Sequence, residues 1–61
     1  MKRQALLRHL RRHGCELKRE GSRHSIWWNP STGARSPIPR HNEIKDTTAR
    51  EICVQIGVPP P

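Results

Sequence analysis

Residues 15–38 read CELKREGSRHSIWWNPSTGARSPI, and the fold turns on this stretch. It holds three short extended runs separated by two turns. Cys15–Arg19 alternates Cys in, Glu out, Leu in, Lys out, which is the pattern of a half-buried strand. Glu20-Gly21-Ser22 reads as a turn. His24–Trp28 follows as a second strand, because Ile26 and the paired tryptophans favour extended backbone. Asn29-Pro30-Ser31-Thr32-Gly33 is the plainest turn signal in the chain. Ala34–Ile38 makes a third strand, at an edge, since Pro37 and Pro39 each withhold a ladder N–H. Connections this short predict a three-stranded antiparallel meander.

Helical patterns flank the meander. In residues 2–13, KRQALLRHLRRH, a rotation of about 100° per residue gathers Leu6, Leu7 and Leu10 into one stripe beside His13. It sets Arg8, Arg11 and Arg12 on the opposite side, and Gly14 supplies a stop. After the sheet, Arg40–Lys45 is a polar connector anchored by Ile44. Asp46 or Thr47 is the expected cap of a second helix, with Thr48-x-x-Glu51 as an alternative capping box. Ala49, Ile52, Cys53 and Ile56 then repeat as a core-facing stripe up to Gly57, and Pro59-Pro60-Pro61 forms a stiff exposed tail. The predicted architecture is α+β in the order αβββα. Both helices cover one face of the sheet and leave the other open.

A chain of 61 residues is one domain, residues 1–61, and buries only about 60% of its unfolded surface. The expected core is Leu6, Leu7, Leu10, Cys15, Leu17, Ile26, one of Trp27 and Trp28, Ile38, Ile44, Ala49, Ile52, Cys53, Ile56 and Val58. Twelve Lys and Arg against five Asp and Glu give a net charge of +7 and a pI near 11.2. Such charge density points to a polyanion, with nucleic acid first and an acidic protein partner behind it. No apolar run approaches the ~18 residues of a membrane span, and no signal peptide is visible. These features predict a complete, cytoplasmic chain that does not enter a membrane. There is no internal repeat and no phosphate-binding glycine motif.

Cys15 and Cys53 each sit in an apolar cluster, where a reduced, buried thiol belongs, and that argues against a cysteine nucleophile. His9 and His13 are four apart on the first helix, yet spacing fixes no third ligand, so no metal site is expected. The five acids form no spaced pair. His24 remains, in a strongly basic setting. Ribonucleotide chains carry their own nucleophile, the 2′-OH, and need only a base, in-line geometry and stabilisation of the growing charge. Imidazole, with an unperturbed pKa near 6.5, suits that proton transfer. Arg23, Lys18, Arg19, Arg35 and Arg40 are the cations placed to clamp a phosphate.

The residues alone leave His24 as either a surface side chain or a proton-transfer group. Strand parity sharpens the choice, because His24, Ile26 and Trp28 share one face while Ser25 and Trp27 share the other. If Ile26 faces the helices, so does His24, unless the strand starts after it or a bulge intervenes. One tryptophan belongs to the core; the other, on the open face, could stack on a base or pack against a protein. His41 reads as a polar loop residue ahead of a second proton-transfer group.

The order of these motifs resembles the HicA family of bacterial toxin–antitoxin systems over residues 2 to about 59. The resemblance rests on the Gly21-Ser22-x-His24 turn, the aromatic strand with its Asn-Pro-x-x-Gly turn, Ile38-Pro39-Arg40-His41, and Glu43-Ile44-Lys45 leading into a helix that ends at Ile56-Gly57. It implies a fold like the double-stranded-RNA-binding domain and a metal-independent mRNA interferase that needs no cofactor. It also implies His24 as the catalytic group and a HicB-type antitoxin that covers it. Many family members carry two adjacent histidines at this turn; here Arg23 and Ser25 flank one. Arg23 is then expected to act electrostatically, and Ser22 to orient the phosphate or the imidazole. With Lys18, Arg19, Arg35 and Arg40, the loop residues His41 and Lys45 complete the expected RNA-binding set. The alternative is a basic RNA-binding module without catalysis.

Overall fold

The computed structural model describes residues 1–61. Helix α1 (Arg3–Arg12) leads into strands β1 (Glu16–Glu20), β2 (His24–Trp28) and β3 (Arg35–Pro39), and helix α2 (Asp46–Ile56) completes an αβββα order. The strands pair antiparallel in sequence order, with β2 central. Leu6, Leu7 and Leu10 of α1 meet Ala49, Ile52, Cys53 and Ile56 of α2 in one apolar cluster with Cys15, Trp27, Ile38 and Ile44. Neither helix is long and apolar enough to cross a membrane.

Glycine stops close both helices in the same way. Cys15 N–H donates to the Leu10 carbonyl and Gly14 N–H to that of Arg11; Val58 and Gly57 repeat the pair onto Cys53 and Val54. Gly14 and Gly57 have φ of 86° and 83°, the left-handed conformation this closure needs.

The start of α2 differs from the expected caps. Lys45 is the cap residue and makes no side-chain cap bond, Asp46 is already helical, and Thr48 and Glu51 lie inside the helix. The cause is upstream. Buried Ile44 exchanges backbone bonds with Met1, which fixes the chain just before Lys45. The carboxylate of Asp46 instead accepts from the Met1 ammonium at 3.2 Å. Nearby, Lys2 pairs with Glu43 at 2.9 Å and holds that carboxyl below its usual range.

Three further expectations are corrected. Leu17 lies across from buried Trp27, yet it is 47% exposed, because the second helix packs over the other edge, β3, and all of β1 faces solvent. Ile26 is only partly buried, because β2 turns Ser25 and Trp27 inward. Arg11 does not point away from the core side: its guanidinium lies over the Trp27 ring, 5.1 Å from the centroid. The tail Pro59-Pro60-Pro61 is exposed, and the Pro59 carbonyl is tied to His9 Nε2 at 2.7 Å, which anchors it at its base.

These placements separate two leucine-sized side chains. Ile38 is fully buried, so Ile38→Ala should cost about 2–5 kcal/mol, most of what a core this small supplies. Leu17→Ala should change stability by about 0.5 kcal/mol or less. Urea denaturation of the two variants checks the difference; equal losses would contradict the exposed position of Leu17.

Candidate active site

The turn between β1 and β2 is built around a close approach. Gly21 N–H donates to the His24 carbonyl at 2.8 Å. A Cβ on Gly21 would lie 2.8 Å from that same oxygen, inside the distance real Cβ atoms keep. Glycine is therefore required here for space rather than for its dihedral angles.

The parity question resolves in favour of an outward His24. Ser25 and Trp27 are buried, at 2% and 3% exposure, and pair with Ile38 and Ser36 on the helix-covered face. His24, Ile26 and Trp28 alternate with them and pair with Pro39, Pro37 and Arg35. His24 is exposed and borders a shallow cleft beside β3, where Pro37 and Pro39 face Thr48, Glu51 and Gln55 of α2.

Behind the turn lies a polar clamp that spans four elements, α1, β1, β2 and β3. The Ser25 hydroxyl donates to Glu20 Oε1 at 2.5 Å and accepts from Arg3 Nη2 at 3.0 Å. Arg3 Nε also donates to the Pro39 carbonyl at 2.7 Å, on the residue paired with His24. Arg40 donates to the Gly21 carbonyl and lies 3.5 Å from Glu20 Oε2. A buried hydroxyl left without partners costs about 1–3 kcal/mol, which is why one small serine recruits so many groups. No buried side-chain polar atom lacks a partner.

The expected phosphate ligands separate into groups. By register Arg19 and Arg35 lie on the same sheet face as His24, Arg35 opposite Trp28 at the far end of β2, and Lys18 lies over Trp28 on that face. A bulge in β1 contributes to this: pairing passes from Leu17↔Trp27 to Arg19↔Ile26, and Lys18 is the extra residue. Its ammonium lies over the Trp28 ring, 4.1 Å from the centroid. Ser22 and Arg23 are exposed in the turn and make no side-chain bond to the protein. Arg40 sits at the turn as part of the clamp. His41 and Lys45 are exposed and share no hydrogen bond or ion pair with the turn; Lys45 instead precedes α2.

Arg3, Glu20 and Ser25 were not foreseen in the sequence. Ser25 carried a signal, since a hydroxyl at an inward strand position needs partners, but nothing pointed 22 residues away to Arg3. Around Lys2, Arg3 and Arg40, with Gln4 and Asn42, lies a wholly polar groove.

His9 and His13 stack edge-on, 4.7 Å between ring centroids, and no cluster of three potential ligands forms. Burial raises the pKa of both Cys15 and Cys53, and the neighbouring Cys15 raises that of Cys53 further. Both are free and buried, so they remain thiols rather than nucleophilic thiolates.

The close approach at Gly21 has a measurable consequence. Gly21→Ala should lower stability by about 1–3 kcal/mol and shift the amide resonances of the His24–Pro39 pair. Unchanged stability and spectra would show that the turn has room for a methyl group.

Comparison with known proteins places this geometry. The family model of the HicA toxin of bacterial toxin–antitoxin systems matches residues 3–58 of the 61. No curated protein and no solved structure gives a match. The match covers the clamp, the Gly21–His24 turn, the whole sheet and both helices, and the chain belongs to the HicA toxin family.

Proposed function

We propose that this chain, acting as one domain in the cytoplasm, is an endoribonuclease that cleaves mRNA, with His24 as its proton-transfer group. The observation that supports this reading is the position of His24: exposed, next to a clamped turn, on the sheet face that also carries Lys18, Arg19 and Arg35.

The chemistry follows from the substrate's own 2′-OH. His24 accepts the hydroxyl proton as the 2′ oxygen attacks the adjacent phosphorus in line with the 5′ oxygen. The new P–O2′ bond forms, the P–O5′ bond breaks, and its electron pair leaves on the 5′ oxygen, which takes a proton from solvent. A 2′,3′-cyclic phosphate and a 5′-hydroxyl result. Arg23, unpaired in the turn, offsets the negative charge that grows on the phosphoryl oxygens. Ser22 orients the phosphate. No step calls for a metal. A HicB-type antitoxin silences the toxin by covering this face, where the same cations meet its acidic groups.

Cleavage of a labelled single-stranded RNA in EDTA tests the assignment. Wild type should cut, and His24→Ala should lose about 10²- to 10⁴-fold in rate while keeping its affinity. Arg23→Ala should lose on the order of tenfold or more. If wild type and His24→Ala bind RNA alike and neither cuts it, the chain is a binding module instead.

Salt provides a second check. With four phosphate contacts and a single-strand slope of roughly −0.7 per contact, affinity should fall about fifty-fold between about 50 and 200 mM salt. An affinity indifferent to salt over that range contradicts the phosphate contacts.

A further inference from the structure

The chain has two tryptophans and no other aromatic residue besides histidine. Trp27 is accounted for, buried in the core beneath Arg11. Trp28 is not. It is half-buried on the face that no helix covers, and its cross-strand partners are Arg35 on β3 and Glu16 on β1. Lys18, pushed out by the bulge, lies against its ring. His24 stands on the same strand and face, four residues away, ~13 Å at the usual strand rise.

We propose that Trp28, with Lys18 and Arg35 beside it, is a base-stacking subsite for single-stranded RNA on the same sheet face as His24. The proposal rests on the ribonuclease reading and adds to it where, and in what form, the substrate is held.

Magnitudes favour a base over the present neighbour. An exposed cation on an aromatic ring contributes about 0.5–1 kcal/mol, whereas a base stacked on such a ring contributes about 1–3 kcal/mol. A base therefore displaces the lysine from the ring, and the freed ammonium remains within reach of that nucleotide's phosphate. Arg35 offers a second cation on the opposite side. Charge selects this occupant over an apolar protein surface, which would bury Lys18, Arg19 and Arg35 against nothing that answers them. Single strands are selected because a paired base keeps its ring face inside the stack. The separation from His24 corresponds to about four nucleotides at a stacked spacing of ~3.4 Å, and to fewer in an extended strand. The subsite thus holds the RNA a few nucleotides from the phosphate being cut.

The test measures affinity by fluorescence anisotropy for a ten-nucleotide unstructured RNA, in the full chain carrying His24→Ala so that the RNA stays intact. Adding Trp28→Leu, which keeps an apolar side chain on the sheet, should weaken binding roughly five- to hundredfold. A series of RNAs with one abasic position each should show one position that weakens binding to the His24→Ala protein by a similar factor. That position should have no effect once Trp28 is Leu. A merely structural role for Trp28 would give no such position.

Undiminished affinity with Trp28→Leu overturns the proposal, as does an abasic penalty that persists without the indole. Loss of antitoxin binding alone would also overturn it and assign Trp28 to a protein contact. In each of these cases, cleavage by wild type leaves the ribonuclease reading standing. If wild type neither binds nor cuts RNA, that reading falls and takes the subsite with it.

Discussion

The rest of the site depends on the buried hydroxyl of Ser25, held between Glu20 and the guanidinium of Arg3. A strand must alternate its side chains, so one inward residue settles the direction of its neighbours. Ser25 and Trp27 face the helices together, the one with its polar partners and the other in the core, and His24 consequently faces out. The same Arg3 also grips the carbonyl of Pro39, across the ladder from His24. One arginine at the start of α1 thus ties the first helix to β2, which leaves the turn, and to β3 beside it. Arg40 and Glu20 close the arrangement from the other side at Gly21.

Stability and function draw on different faces of a very small body. One apolar cluster of eleven residues, two of them cysteines, supports a chain that carries a charge of +7. Self-repulsion on that scale opposes the compact state, and a bound polyanion relieves it. RNA or an acidic antitoxin that binds only the folded chain stabilises it further by mass action. Among the cations of the sheet and turn, Arg40 serves mainly to hold the turn, whereas Arg19, Arg23 and Arg35 make no ion pair with the protein's own acids. Counting arginines in the sequence could not separate these two uses.

Periodicity and turn chemistry made the elements legible. Alternation from His24 to Trp28, the Asn29–Gly33 turn and the two glycine stops each report a local backbone requirement, and each appears in the structure. What was not legible depends on long-range contacts. Leu17 has the alternation of a core residue, but its burial depends on whether a helix extends over the sheet edge. Ile26 reads as an inward residue because it is apolar; Ser25 and Trp27 take the inward positions instead, Ser25 with one partner from α1 and one from β1. The entry to α2 is set by Met1 against Ile44, a contact across 43 residues, and the local capping pattern of Thr48 and Glu51 carries no trace of it. Gly21 was recognisable as part of a turn, while its need for space against the His24 carbonyl appears only in three dimensions.

The central claim is that the turn presents an imidazole to the RNA's own 2′-hydroxyl. The direct measurement is cleavage of an oligoribonucleotide in which the nucleotide immediately 5′ of the cut carries a 2′-hydrogen in place of the hydroxyl. The account predicts that cutting stops at that bond and continues at unmodified ones, with a 2′,3′-cyclic phosphate on the products. Undiminished cutting at the modified bond would mean that water attacks the phosphorus, and the role assigned to His24 would be wrong.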